Sequence, residues 1–576
     1  MKKLLWIAGG IICCLIVGMV FAWTSLRWHP SDLIVSKETT YITSPLRADG
    51  SPDYYAAINS IGQAGVTPEN NSAVLIMQAV GPHEIEASKR KQFFAKLGME
   101  APSPIGEYFE EWGKYWRKLE PATPDGASAE EIEASQARWQ AETERFEAAD
   151  SRTLEWPWKE SEYPEVAAWL KKNKPYLALA EAASRRPKQF VPVVRASEHD
   201  SIIDVQFPFI NIQRQCALAL GARSMLHLGD GRVEAAWNDT ETIARMGRLI
   251  QATDGTLVEG LVGIAIEGIA SSLQHVILGT ASLPPAKCQR AIATIDQANQ
   301  TTLPFSRRLA HGDRFVALDA MCAMAKNRIQ SSDSEHQIGL EYSTPYADWN
   351  ATLRLYNELM DRAAAIGKAT SPQARQAAIA QYDSDIAAMG QRVKEAPNRF
   401  TSVLNPWIAR RYCSEQVASL FGGANTAAYS AEGRNKTNRD LLRMALALAW
   451  YKGERGKYPA ALTDLVPKYL PSIPVDDFHG HPFVYQLKPD GYLLYSFGRN
   501  GVDEKGVDWN IDPDTESDDN NARVPAVKPV PPKVEPTIDP ELEEPPPADL
   551  TDSPDTADNA DQPEPDAPAP PDEPAK

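Results

Sequence analysis

Acid–base, nucleophilic and metal chemistry each need particular side chains at particular spacings, and the 576-residue sequence offers few such groupings. His199, His227, His275, His311 and His336 do not pair with one another at metal-ligand spacing. His311 with Asp313 and Arg314 is the most polar local cluster, though a lone histidine on a helix is ordinarily structural. No GxSxG elbow, HExxH helix, phosphate-binding loop or GxGxxG turn occurs in a suitable context. Asp476, Asp477, His479 and His481 suit either a transition-metal site or a polar turn. Glu110 and Glu111 beside Trp112 and Trp116 are the one place where acids adjoin aromatic platforms. A polysaccharide-cleaving site needs two carboxylates flanking the bond at a defined separation. The competing reading is core: Ile105, Tyr108, Phe109, Trp112, Tyr115, Trp116 and Leu119 follow the 3.6-residue period and predict a helix over 105–119.

The elements that would position these residues are mostly helical. The pattern predicts helices at Tyr54–Ile61 and Ser72–Ala79, broken by Gly62, Gly65, Pro68 and Asn70-Asn71. Another is expected from about Ala129 to Ala149, with Ile132, Trp139 and Phe146 spaced by seven. Residues 211–279 read as a stack of helical hairpins turned at Gly229-Asp230-Gly231, with a third, Gly- and Ala-rich helix from Thr256 to Leu278. Further helices are expected near 285–299, 306–328, 347–366 and 371–395. No 34-residue period repeats, so this is not a repeat array.

Composition is uneven along the chain. The net charge is −18 with 45 prolines. Asp512–Lys576 holds 19 Asp/Glu against 4 Lys/Arg, and 17 of the prolines, so −15 of the charge lies there and −3 in the rest. Such a segment lacks the apolar surface to offset ordering entropy and is expected to be a disordered, acidic, Pro-rich tail over 512–576. The body has no clustered basic surface of the kind that sequence-independent nucleic-acid binding needs.

At the other end, Met1-Lys2-Lys3 precedes an uncharged run from Leu4 to Ser25, flanked by Trp6, Trp23 and Trp28. Roughly 20 apolar residues span a bilayer, so residues 1–30 are expected to anchor the chain in the cytoplasmic membrane with the body outside. The alternative is a signal peptide cleaved after Val20-Phe21-Ala22, which releases the body to the periplasm. Cys13 and Cys14 lie in this run. Cys216, Cys288, Cys322 and Cys413 form no CxxC; four cysteines allow three pairings, and sequence does not choose among them. Cys216 falls in an apolar helical stripe, where a buried free thiol is expected.

The C-terminal part has its own pattern. Thr437-Asn438-Arg439-Asp440 approximates a capping box, and a helix carrying Leu441, Met444, Ala445, Leu448 and Tyr451 is expected after it. Val484–Leu487 and Tyr492–Phe497 alternate around Lys488-Pro489-Asp490-Gly491, a β-hairpin signal. The order helix, Gly456-x-Tyr458-Pro459, Tyr469-Leu470-x-x-Ile473-Pro474, an Asp-Asp-Phe-x-Gly-x-Pro-Phe turn, Tyr485 and Tyr495-Ser496-x-Gly498-x-Asn500-Gly501 resembles the globular domain of the type II secretion major pseudopilin. The likeness covers about 75 residues. It departs at the turn, where Asp477 stands for proline and His479 precedes Gly480, and no prepilin leader opens the chain. The resemblance implies a small α+β fold over 434–511 and a calcium-binding loop, to which Asn500, Asp503 and Asp508 correspond. Oxygen ligands there suit a hard cation, and the same residues suit Asx turns. The stretch from Thr43 through Pro82 resembles the opening of large bacterial envelope proteins and implies no activity.

These readings give a mainly α protein: an N-terminal anchor (1–30), a helical body (31–430), a pseudopilin-like domain (434–511) and the tail. The expected function is non-enzymatic, presenting a helical scaffold and the module for contacts with other envelope proteins. The alternative is an envelope enzyme acting on polysaccharide around residues 105–170.

Overall fold

The computed structural model describes residues 17–18, 32–120, 128–197, 200–202, 208–326, 348–394, 411, 414–419, 425–507, 515 and 517–529. The chain is mainly helical, 62% helix and 5% strand, with a small three-stranded sheet. By contact the chain divides at Val530, and the described residues all lie in the first unit.

The first helices are set by their caps. Asp53 accepts from Ala56 N at the start of α1 (Tyr54–Gly62), and Asn71 accepts from Ala73 N at the start of α2 (Ser72–Val80). α3 (Ala87–Leu97) ends at Gly98 in the left-handed region. The predicted helix over 105–119 shrinks to α4 (Trp112–Arg117). Pro102, Pro104 and Gly106 precede it, and proline both fixes φ and disfavours helix in the residue before it. α5 (Ala129–Glu155) opens on a full Ser128–Glu131 capping box, and α6 is Pro164–Ser184. After α6 the chain runs extended without a partner strand. Two asparagines bind it instead: Asn71 Nδ2 donates to Phe190 O (2.9 Å), and Asn59 Nδ2 donates to Val193 O (2.7 Å). Each also accepts from the N–H of the residue it holds.

The predicted hairpin stack is present as α7 (Pro208–Gly229), α8 (Val233–Gln251) and α9 (Leu257–Thr280), followed by α10 (Pro285–Thr301). α8 and α9 cross in direct backbone contact. A Cβ on Gly263 would lie 2.9 Å from Gly247 O, and one on Gly247 would lie 2.6 Å from Gly263 O. Gly247→Ala therefore forces the helices apart and is expected to cost about 1–3 kcal/mol, read as a lower urea midpoint at unchanged slope. α9 is the one described helix long and apolar enough to cross a membrane, yet it packs between α7, α8 and later helices.

The predicted helix 306–328 is interrupted. α11 (Phe305–Arg308) passes through a π-helical turn (Leu309–Asp313) into α12 (Arg314–Ala325). α13 (Trp349–Ile366) and α14 (Pro372–Lys394) follow.

The C-terminal helix differs from expectation. α15 runs Asn425–Arg455, so the Thr437–Asp440 box lies in mid-helix. A cap needs free backbone N–H groups, and here the preceding turns are already helical. Thr437 instead donates to Asp476 Oδ1 (3.3 Å). After a short 3-10 turn (Leu462–Leu465), β1 (Val484–Lys488) and β2 (Gly491–Ser496) form the predicted hairpin, Val484 opposite Tyr495. β3 (Asn520–Val524) pairs antiparallel with β2, Leu494 opposite Ala522. This strand corrects the tail boundary: residues 517–529, with β3 among them, lie in the segment assigned above to the disordered tail. Acidic composition concealed a short alternation in which only Ala522 faces the core fully buried.

Two main hydrophobic cores result. One joins α2 to α10 with α15 and the sheet: Leu441, Met444 and Leu448 share it with Cys288, Ile292, Tyr492 and Leu494. The other gathers α1, the start of α9, 305–322 and α13. α15 is also fixed to α8 and α9 by buried charge. Glu267 takes Arg248 Nε (2.7 Å), Arg439 Nη2 (2.6 Å) and Gln251 Nε2 (2.9 Å). Burial pushes its carboxyl up, and the two arginines outweigh that, leaving it at about 2.

Candidate functional site

The densest unspent chemistry lies where the sheet meets the loop after β2. Residues 498–507 fold back over the outer face of the sheet. Gly506 has φ +72°, and a Cβ there would crowd Leu493 Cδ1 at 3.1 Å, so a glycine lets the loop lie close. Arg523 of β3 donates to Gly506 O, and Tyr495 of β2 donates to Asp503 Oδ1 (3.0 Å). Asp518 Oδ2 accepts from the N–H groups of Arg499 (2.9 Å) and Asn500 (3.1 Å). Asp519 Oδ2 accepts from Gly506 N (2.7 Å).

The other oxygens are the telling ones. Asp518 Oδ1 and Asp519 Oδ1 are buried, and neither has a hydrogen-bond partner. Asp519 is 3% exposed. Burial, with the Glu504 and Asp503 carboxylates nearby, pushes its carboxyl up to about 7. Buried polar atoms are nearly always satisfied, so two orphan carboxylate oxygens in an acid-rich loop mark a place suited to a hard cation. No three His, Cys, Asp or Glu side chains among the described residues already converge as a metal cage.

Of the residues read from sequence, Asn500 and Asp503 lie in this loop but serve its turns. Asn500 Oδ1 accepts from Val502 N (2.7 Å), and Asp503 Oδ1 accepts from Lys505 N (2.9 Å). Asp508 lies outside the described residues. Asp518 and Asp519 were missed because they fell in the compositional tail. The available signal was the Asp-Asp pair directly ahead of a strand-length segment.

The remaining candidates resolve into structure. Asp476 is buried and accepts from Phe478 N (2.9 Å), while Asp477 pairs with Arg375 and with Lys436 (3.2 Å). His479 Nε2 bonds Arg499 O (2.9 Å). The acid–histidine turn thus knits α14, α15 and the loop. Trp112 and Trp116 are 5% and 7% exposed. Their rings pack on Phe146 at 5.9 and 5.8 Å, and Trp112 packs on Trp169 at 5.5 Å. They therefore offer no face to a sugar. Burial pushes the Glu110 carboxyl up, but Lys118 and Lys172 more than offset it and leave it below the usual range. Glu111 pairs with Lys114 (3.0 Å). The His311 cluster disperses: His311 Nδ1 faces Asp254 (3.1 Å), Asp313 accepts from Leu257 N (2.7 Å), and the buried Arg314 reaches Asp361 (2.6 Å).

A cleft lies beside that cluster, between Ile58, Phe190, Val193 and Ile202 on one side and the turn 253–256 on the other. Gln189, Thr253, Asp254, Thr256 and Glu259 are its polar wall. Each is already hydrogen-bonded within the fold, which leaves no side chain there committed to a ligand. Cys216 and Cys288 are buried free thiols, raised by burial to about 12 and about 11, and Cys322 is buried as well. Cys413 lies outside the described residues. Comparison with protein-family models, curated proteins and solved structures returns no match.

Proposed function

We infer that this is a non-enzymatic envelope protein, anchored in the cytoplasmic membrane by its N-terminal apolar run. It holds a pseudopilin-like module rigidly outside that membrane for contacts with other envelope proteins. The observation that carries this reading is the shared core: the module's long helix α15 is built into the body by Leu441, Met444 and Leu448 and by the Arg439–Glu267 pair. A module fixed this way has its position set by the body, as a presenting scaffold requires. Its helix face is committed to the body, so this reading does not include polymerisation into a pseudopilus. No observation favours the polysaccharide enzyme. The test is crosslinking of the full-length chain in membranes. A discrete envelope partner lost on substituting the exposed Val502 supports the reading; absence of any specific adduct overturns it.

Calcium at the 498–507 loop, beside Asp518 and Asp519, belongs to the same reading. Asp518 and Asp519 would supply the orphan oxygens, with Asn500, Asp503 and Asp508 nearby in sequence, and the ion would offset the loop's negative charge. The expected result is a calcium-dependent rise in the melting temperature of the full-length chain by about 2–4 °C, abolished by Asp519→Asn. An unchanged melt with calcium removes the ion from the reading and leaves the scaffold untouched.

A further inference from the structure

A polar joint lies within the second hydrophobic core and reaches the end of α8, which belongs to the first. Segment 303–314 lies against the α8–α9 turn, residues 250–257, and the bonds between them are almost all charged. Arg308 donates to Thr256 O (2.9 Å) and Ile250 O (2.8 Å). Arg307 Nε (2.8 Å) and His311 Nδ1 (3.1 Å) reach Asp254 Oδ2. Asp313 accepts from Leu257 N (2.7 Å), the first N–H of α9, and Glu432 of α15 accepts from Phe305 N (3.1 Å). The π-helical turn Leu309–Asp313 is what places both His311 and Asp313 on this side. A π turn inserts one residue into the helical register, and such turns recur at functional positions.

The charges at the joint do not balance. Asp254, Glu259, Asp313 and Glu432 bring four carboxyls; Arg307 and Arg308 bring two permanent cations, and the Arg375 that also faces Glu432 is itself paired with Asp477. His311 adds a third only when protonated. Arg314 does not help: its guanidinium turns to Asp361 and lies 4.1 Å from the Tyr41 ring centroid. From α13, Tyr356 stands behind Asp313 as a neutral phenol. Taking up a proton on Asp313 moves the joint toward balance, and losing one moves it away.

We propose that this contact is a proton-sensitive joint between segment 303–314 and the α8–α9 turn, tight in acid and loosened as pH rises through neutrality. The sign follows from linkage. Burial, reinforced by Glu259, raises Asp313 from 3.8 to about 7 despite the Leu257 N–H and Arg308. The closed joint therefore binds more protons than the open one between those values, and opening is favoured as pH rises toward and past 7. Loosening here exposes the start of α9 and the cleft wall at 253–256.

The test is hydrogen–deuterium exchange of the full-length chain at pH 6.0 and 8.5, corrected for intrinsic exchange rates. Peptides covering 255–260 and 305–316 are expected to show an opening constant about tenfold larger at pH 8.5, while peptides from β2 show no such change. Asp313→Asn keeps an oxygen for Leu257 N and is expected to abolish most of the difference. Equal protection of these peptides at both pH values in the unaltered chain overturns the proposal. So does a difference that persists undiminished in Asp313→Asn.

Discussion

Replacing Glu267 by alanine is expected to cost about 3–5 kcal/mol, measured as a fall in the denaturant midpoint of the full-length chain. The residue is 3% exposed and faces Arg248 and Arg439. Its removal leaves two guanidinium groups facing each other in the core, with Gln251, Asn299 and Thr302 as polar partners of Arg439. The loss is large because the surviving cations are desolvated and unpaired. Glu267→Gln keeps the volume and is expected to lose less. A pH dependence accompanies this. The folded carboxyl lies at about 2 against an ordinary 4.5, so its contribution is fully present above 4.5 and disappears as pH falls from there toward 2. The shift corresponds to about 3 kcal/mol. Acid should therefore weaken the seam between α15 and the body, while the Glu267→Gln chain shows a flatter acid limb. A variant as acid-sensitive as the parent would show that another carboxyl governs this region.

Truncation gives the second large effect. A chain ending at Val530 is expected to melt with the parent. One ending at Ile511 loses β3, and with it the Leu494–Ala522 pairing, the Arg523 bond to Gly506 O and both Asp518 and Asp519. Strand β2 becomes an open edge, and the 498–507 loop loses its tethers from Asp518, Asp519 and Arg523 while keeping those from Tyr495 and His479. The expected result is a melting temperature lower by several degrees and increased aggregation from the bared edge. Equal melting of the two truncated chains would mean that β3 adds nothing to the sheet.

The places where sequence reading succeeded and failed share a cause. Helices with strong caps and clear periodicity, such as Tyr54–Gly62 and Trp349–Ile366, were legible because local signals and burial agree there. The hairpin around Pro489-Asp490-Gly491 was legible for the same reason. α15 was not, because its first half is polar and its helicity depends on α9, α10 and α14, which are distant in sequence. The π-turn at Leu309–Asp313 leaves no local signature, since its register shift is set by Asp254 and Leu257 across the joint. Asp518 and Asp519 were hidden by averaging. A window dominated by proline and acid concealed five residues of strand that become meaningful only when β2 is beside them. Trp112, Trp116, Trp158 and Trp169 are core, whereas Ile105 and Leu119 of the same periodic set are exposed, because the helix that would have aligned them is confined to Trp112–Arg117.

The three buried thiols have a use that their inertness creates. Cys216, Cys288 and Cys322 are 0% exposed, and a thiol raised to about 12 or 11 is almost never a thiolate at neutral pH. Alkylating reagents therefore reach them only during excursions that open the interior. Cys216 and Cys288 lie in one core and Cys322 in the other. The chain thus carries a separate chemical clock in each core, and comparing their labelling rates tells whether the two open together or in turn.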